Sequence, residues 1–316
     1  MRKVAIVTII SHNYGNRLQN FALQETLKFM GMKVKTVAFK KENLLIKDLK
    51  SRIKAMLVFL KPVYRKVCWD RFDRNISFTR QTVADKRLIG KFDYFVAGSD
   101  QIWNPMFSFN SDREYLTFAP SDKRVAYSAS FGVNELDENI QADCAKKLEG
   151  FKAISVREHS AAKLVNKLCG KDAPVVLDPS MLITKERWEK LSKKSKLKMK
   201  EPYVFKYILG IRNEAYDKMI DIYAKSIGAK VVDITLPDKE MQYAIGPYEF
   251  LYFLAHSEMV FTDSFHASAF SILFHKQFYV FERPVEDGYG EMSSRLDTLF
   301  STFELGERRI FKQKEL

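Results

Sequence analysis

Apolar and polar positions fall into blocks along this chain, and the blocks recur with a strand-then-helix rhythm. The run VAIVTII (4–10) is rich in β-branched residues and short enough for a buried parallel strand. After the polar loop SHNYGN, the stretch from Asn16 sets Leu18, Phe21, Ala22, Leu23, Leu27 and Met30 on a helical stripe, and Gly31 is a natural stop. KVKTVAF follows as a second strand, giving a β-α-β unit, the building block of open parallel sheets. Further strands are predicted at 93–99, 124–130, 153–157 and 174–178, several of them ending in Gly, Ser, Asp or Arg.

The highly charged segment TKERWEKLSKKSKLKMKEP (184–202) interrupts the rhythm and reads as a charged helix or an interlobe linker. Beyond it the pattern resumes. Strands are predicted at 203–209, 229–236, 259–264 and 276–282, and helices at 213–227, 246–257, 265–274 and 293–303, with Pro247 in the first turn of the second of these helices. A chain of 316 residues suits two domains of roughly 150 each. The fold class is therefore α/β, with two Rossmann-like lobes of parallel sheet, 1–190 and 200–316, and a cleft between them. No internal sequence repeat and no low-complexity tract is visible.

Composition supports a well-packed interior, with 46% hydrophobic residues, 25 Phe and 14 Tyr. The three cysteines are far apart and in no metal-ligand spacing, which fits a reduced, cytoplasmic compartment. The basic N-terminus lacks a small-residue cleavage site after its short apolar run, and no run of about 18 apolar residues spans a bilayer.

Charge changes the picture in one place. Residues 40–91 hold 15 Lys and Arg against 5 Asp and Glu, or +10 of the +13 net charge. Within it NLLIKDLKSRIKAMLVFLKPVYRKVCWDRF mixes apolar and basic residues at roughly helical spacing. It reads either as a core-packed helix with a solvated basic face or as a helix lying on an anionic membrane surface. Nucleic acid is not expected as a partner, because no recognition motif accompanies the charge.

Candidate chemistry gathers where apolar strands stop, since ligands of open α/β sheets bind outside the carboxyl ends of the strands. In TDSFHASAFSI (262–272), Asp263 and Ser264 can cap a helix that carries His266 in its first turn, where a proton donor meets the anion-favouring helix N-terminus. On its position alone His266 reads more readily as a structural histidine than as a catalyst. SVREHSA (155–161) presents Arg157, a planar fork for phosphate or carboxylate or a cation paired with a nearby acid. SHNYGNRLQN places Asn13, Gly15 and Asn16 at a polar turn that lacks the spacing of a dinucleotide or P-loop fingerprint. AGSDQIWNP offers Asp100, Gln101, Trp103 and Asn104, a set suited to a sugar, with core burial of the indole as the alternative. No metal site is expected, and no G-x-S-x-G elbow is present.

Taken in order, NYGNRLQNFALQ (13–24), GSDQIWNP (98–105), SVREHSA, LDPSML (177–182) and TDSFHASAFSI resemble the polysaccharide pyruvyl transferase family over nearly the whole chain. The resemblance implies a two-lobed fold similar to GT-B glycosyltransferases and transfer of pyruvate from phosphoenolpyruvate to a sugar as a ketal, with no further cofactor. Carried over from the family's S-V-R-[DE] and D-S-x-H motifs, Arg157 binds the donor's anionic groups and His266 is general acid or phosphate partner. Ser264, Arg283 and Arg295 are further donor-side residues; Asn13, Asn16, Gln19, Asp100, Trp103 and Asn104 are the acceptor-side set. Ala267 departs from the glycine that often follows the histidine in relatives. The acceptor in such pathways is often a lipid-linked glycan at the cytoplasmic membrane face, which gives the segment 40–91 a purpose as a peripheral anchor. Two alternatives remain: a GT-B glycosyltransferase using a nucleotide sugar, and a non-catalytic glycan- or polyanion-binding protein.

Overall fold

Strands come out shorter than their apolar runs, because polar residues at the ends turn aside to build loops. The computed structural model describes residues 1–38, 61–108, 110–235, 245–283 and 294–310. Its first run gives β1 (Lys3–Val7), where Thr8 has already left the sheet and donates its hydroxyl to Ser99 O at 3.2 Å. Helix α1 (Tyr14–Phe29) and β2 (Lys33–Thr36) complete the unit, and Gly31 at φ +80° makes the left-handed turn between them. Met30, expected on the apolar stripe, lies past the last helical residue and is exposed.

The first half of α1 is buried all round, and its polar residues are satisfied inside. Gln24 donates to Thr36 Oγ1 at 2.7 Å and Ser77 O at 2.9 Å, while Thr36 Oγ1 donates to Asn20 Oδ1 at 2.6 Å. A chain segment with no helix or strand of its own is thereby fastened to the sheet.

The chain continues through α2 (Lys61–Asp73), β3 (Tyr94–Ala97), β4 (Arg124–Ala129), α3 (Glu138–Glu149), β5 (Ala153–Val156) and α4 (His159–Cys169). Next come α5 (Lys185–Ser192), β6 (Tyr203–Tyr207), α6 (Glu214–Ser226), β7 (Lys230–Asp233), α7 (Pro247–His256) and β8 (Met259–Thr262). The described residues end with α8 (Phe265–Leu273), β9 (Phe278–Phe281), α9 (Ser294–Phe303) and β10 (Arg309–Ile310). The expected strand at 174–178 is reduced to a single bridge between Val156 and Val175. Pro174 and Pro179 bracket it, and Asp178 turns its carboxylate onto Ser180 N at 2.9 Å.

Two parallel sheets result, ordered β2-β1-β3-β4-β5 and β10-β9-β8-β6-β7. The two orders are the same topology: in each, the first strand has the second on one side and the third on the other. The strand order therefore reverses between β1 and β3 in one sheet and between β6 and β8 in the other, and those are the positions where ligands of such sheets bind.

The described chain divides into two compact units, one of residues 1–38, 75–183 and 294–303 and the other of 61–74, 184–283 and 304–310. This differs from the expected division at 190–200 in two ways that local patterns could not carry. Helix α9 belongs to the first unit, where Thr298 Oγ1 accepts from His159 N at 3.1 Å. Helix α2 belongs to the second, where Phe72 meets Tyr248 edge-on at 5.2 Å and Arg71 pairs with buried Glu249 at 3.3 Å. The charged segment from 184 is no linker either, because Trp188 is fully buried against Phe270. Residues 65–73 are thus the core-packed reading of the basic helix, while 43–60 lie outside the described residues. Among the described residues no helix is long and apolar enough to cross a membrane.

Gly246, which caps α7, sits so close to α2 that an added Cβ would stand 2.9 Å from the Cys68 backbone. Gly246→Ala should therefore lower stability by about 1–3 kcal/mol. Gly90→Ala, where a Cβ meets nothing within 4 Å, should stay within about 0.5 kcal/mol of the parent. Urea unfolding midpoints measure both, and equal midpoints would contradict the packing of α2 on α7.

Candidate active site

The carboxyl edge of the first sheet is organised by a buried cation. Arg157, one residue past β5, is 3% exposed and donates from Nη1 to Asp178 Oδ2 at 2.9 Å and from Nη2 to Asp100 Oδ1 at 3.4 Å. Asp178 is itself held by Ser99 Oγ at 2.7 Å and by the amide and hydroxyl of Ser180 at 2.9 and 2.7 Å. Burial works against the guanidinium's charge, but Asp100, Asp178 and Glu158 outweigh it and hold its pKa above the ordinary value. Arg157 is thus compensated within the fold, in line with the reading of a cation paired with nearby acids.

Asp100 adopts φ +79°, a region that residues with a side chain seldom occupy, and such strain persists where surrounding contacts over-determine it. Here the contacts are evident. Its carboxylate takes the Asn16 amide, the Arg157 guanidinium and the Gln101 N–H at 2.8 Å, and its carbonyl takes the N–H groups of Ile102 and Ser130. Asn16 in turn accepts from the Ser11 hydroxyl, so the loop after β1 and the loop after β3 join at the strand-order reversal.

Next to this group lies a second buried carboxylate. Glu158 is fully buried; its Oε1 accepts from Phe131 N at 3.1 Å and Gly132 N at 3.3 Å, with Ser130 beside it. Burial pushes the Glu158 carboxyl up, against the attraction of Arg157 and Arg295. Gly132, at φ +67°, passes so near the end of the Gln101 side chain that an added Cβ would clash with it. With its amide oxygen turned to the guanidinium, Gln101 accepts from Arg295 at 2.7 and 2.9 Å. Arg295 therefore joins Gln101 and Glu158 in the first unit, and Arg283 belongs to the second.

The second sheet's reversal is built with the charges interchanged. Asp263, at the end of β8, accepts from Leu209 N at 2.8 Å and Gly210 N at 2.6 Å, so a carboxylate fastens the loop after β6. Arg283, just past β9, donates to the same carboxylate from Nε at 2.8 Å and from Nη2 at 3.3 Å. Asp263 consequently does not cap α8. Ser264 does, its hydroxyl accepting from Ala267 N at 3.5 Å while its own N–H goes to Thr262 Oγ1 at 3.0 Å. His266 stands in the first turn of α8, 6% exposed, with its ring edge-on to Phe265 at 5.3 Å. A capped helix N-terminus with a histidine in its first turn can attract an anion and exchange a proton with it.

The sequence-derived acceptor set is only partly brought to the edge. Trp103 is fully buried, stacked on Tyr115 at 5.6 Å with its indole N–H on Glu114 O at 3.2 Å, so it has no face to offer a sugar. Gln19 and Asn104 are also fully buried; Gln19 donates to Thr8 Oγ1 at 2.8 Å and Asn104 Oδ1 accepts from Met106 N at 2.9 Å. These three are scaffold. Asn16 and Asp100 do meet, and Asn13 stands half-buried in the turn that opens α1. Sequence reasoning gave no role to Asp178, whose signal was a carboxylate closing the apolar run PVVL, or to Glu158 and Ser99. Among the described residues no His, Cys, Asp and Glu group could hold a metal ion.

A family model described as polysaccharide pyruvyl transferase matches residues 13–283. Among solved structures, UDP-GlcNAc 2-epimerase from Methanocaldococcus jannaschii is similar over 98% of this chain and 88% of that one, at 11% identity and a TM-score of 0.53. Another UDP-N-acetylglucosamine 2-epimerase is similar over 99% of this chain and 98% of that one, at 11% identity and a TM-score of 0.50. At that identity the likeness is one of fold, and it agrees with the GT-B-like class of two Rossmann-like lobes. No curated protein matches the chain.

Glu158 gives this edge a pH signature. A carboxyl whose folded pKa is raised above its ordinary 4.5 contributes stability that is full below that value and is lost as pH rises through the folded value. Glu158→Gln keeps an oxygen for the Phe131 and Gly132 amides and turns a nitrogen towards Ser130, and it lacks this loss. Urea midpoints followed from about pH 4 to about pH 8 should show the variant gaining on the parent as pH rises. A variant that is less stable at the upper end by more than about 2 kcal/mol would show that the ionised carboxylate is needed there.

Proposed function

The chain belongs to the polysaccharide pyruvyl transferase family, and on that premise we propose that it moves pyruvate from phosphoenolpyruvate to two hydroxyls of a glycan sugar, forming a ketal. The observation that carries this reading is the Ser264-capped start of α8 with His266 in its first turn. Phosphoenolpyruvate presents a phosphate and a carboxylate, and a helix N-terminus meets both without burying a further cation.

On this reading the donor's methylene carbon gains a proton and becomes a methyl group, leaving an oxocarbenium-like centre at the adjacent carbon. One sugar hydroxyl adds there and releases its proton. The second hydroxyl then replaces the phosphate, which departs as inorganic phosphate. His266 supplies the proton or holds the departing phosphate, and Ser264 with the first amides of α8 bind the donor's anions. Arg283, tied to Asp263, fixes the loop after β6 beside that helix start.

The acceptor is assigned to the edge of the first unit, where Asp100 and Asn16 offer a carboxylate and an amide for sugar hydroxyls. Arg157 serves as the positioning residue for Asp100 and Asp178. An acceptor made at the cytoplasmic membrane face would be lipid-linked; of the basic segment 40–91 expected to meet that membrane, residues 40–60 lie outside the described residues.

Phosphate release from phosphoenolpyruvate, screened against galactose-, mannose- and N-acetylhexosamine-containing acceptors, tests the reaction. One acceptor class should support release, and His266→Ala and Asp100→Asn should each lower the rate by about 100-fold or more. Thermal stabilisation by nucleotide sugars and none by phosphoenolpyruvate, with no release, would overturn the reading in favour of a glycosyltransferase.

A further inference from the structure

The amino-terminal edge of the first sheet, opposite the Asp100 and Arg157 edge, carries two features that the proposed reaction does not use. The first is apolar. Phe29 is 94% exposed and Met30 62%, at the end of α1, and Met1, at the start of the chain, is 82% exposed. The exposure is built by the backbone: Met30 N and Gly31 N bond back to Thr26 O and Lys28 O, and Gly31 turns left-handed before β2, so the helix's last apolar side chains point away from the core. An isolated exposed leucine is ordinary, but a phenylalanine almost wholly in water next to an exposed methionine is a patch.

The second feature is basic. An open cavity of about 430 Å³ at the same edge is lined by Arg2, Tyr94, Lys123 and Lys152, with Met1, Asp93 and Asp122. Arg2 and Lys152 both stand over the Tyr94 ring, at 5.6 and 5.4 Å from its centre. The two features adjoin, since Lys33 N donates to Arg2 O at 2.9 Å and so sets the end of α1 beside the start of β1. Lys28 and Lys33 flank the apolar residues, and cations outnumber carboxylates across the face.

We propose that this edge is a docking surface for an anionic lipid bilayer, with Phe29 and Met30 entering the interface and Arg2, Lys33 and Lys152 facing lipid phosphates. Charge complementarity favours an anionic partner, and the aliphatic Met30 beside Phe29 favours the acyl boundary of a membrane. All strands of the sheet are parallel, so their amino ends share this edge and docking here leaves the carboxyl edge uncovered. The inference is independent of the proposed reaction and uses none of residues 40–60.

Co-sedimentation of the full chain with phosphatidylcholine vesicles, with and without about 30 mol % phosphatidylglycerol, tests it. The protein should bind the anionic vesicles and not the neutral ones. Phe29→Ser/Met30→Ser should weaken binding about tenfold with little change in melting temperature, because Phe29 is almost wholly and Met30 mostly exposed. Lys33→Gln/Lys152→Gln should weaken it by a similar factor, and phosphate release from phosphoenolpyruvate in vesicle-free solution should be unaffected by either pair. Absent binding, equal binding to both vesicle types, or unchanged binding by both double variants would overturn the proposal, the last by placing the contact elsewhere. So would loss of a dimer on replacing Phe29 and Met30, which would make the patch a contact between copies, or tighter binding to RNA than to vesicles.

Discussion

A guanidinium buried at the end of a parallel sheet must be neutralised where it lies, and Arg157 is neutralised by carboxylates that reach it from two other segments. Asp178 comes from the turn after the bridge at Val175, and Asp100 comes from the loop after β3. Leaving either carboxylate or the cation alone there would cost about 3–5 kcal/mol. The arrangement therefore fixes three chain ends at once. It explains why Asp100 keeps its left-handed backbone, why Asn16 is drawn in from α1, and why the run before Asp178 pairs only briefly with β5.

The second unit repeats the topology and reverses the polarity. There the buried charge is the carboxylate of Asp263, served by the amides of Leu209 and Gly210 and by Arg283. Because Asp263 is occupied with the neighbouring loop, Ser264 alone caps α8. The two edges thus differ in what they offer. The first presents oxygen acceptors held by an internal cation, suited to hydroxyls; the second presents a capped helix start with a histidine, suited to an anion.

Much of this was legible in the sequence because strand ends announce themselves: an apolar, β-branched run stops at a polar residue, and the stop is where a ligand site forms. The turns at Asn16, Asp100, Arg157 and His266 were found that way, and each stands at a carboxyl edge. Residue type does not reveal burial, however. Trp103 beside Asp100 and Asn104 looked like a sugar platform, yet it stacks on Tyr115 inside the first core. Nor could sequence show that Arg157 was already compensated, since Asp178 is 21 residues away along the chain. Unit membership was hidden for a similar reason. The sides taken by α2 and α9 are decided by contacts such as Phe72 with Tyr248 and Thr298 with His159, which no local pattern encodes.

The proposed assignment gives Arg157 to the carboxylates of Asp100 and Asp178 and the donor to the start of α8. Calorimetric titration of phosphoenolpyruvate into the parent and into Arg157→Lys, both checked for folding, addresses this most directly, since lysine keeps the charge and loses the planar fork. A guanidinium that organises carboxylates should leave the variant's dissociation constant within about threefold of the parent while turnover falls by a large factor. A dissociation constant weakened by about 30-fold or more would show instead that Arg157 binds the donor itself.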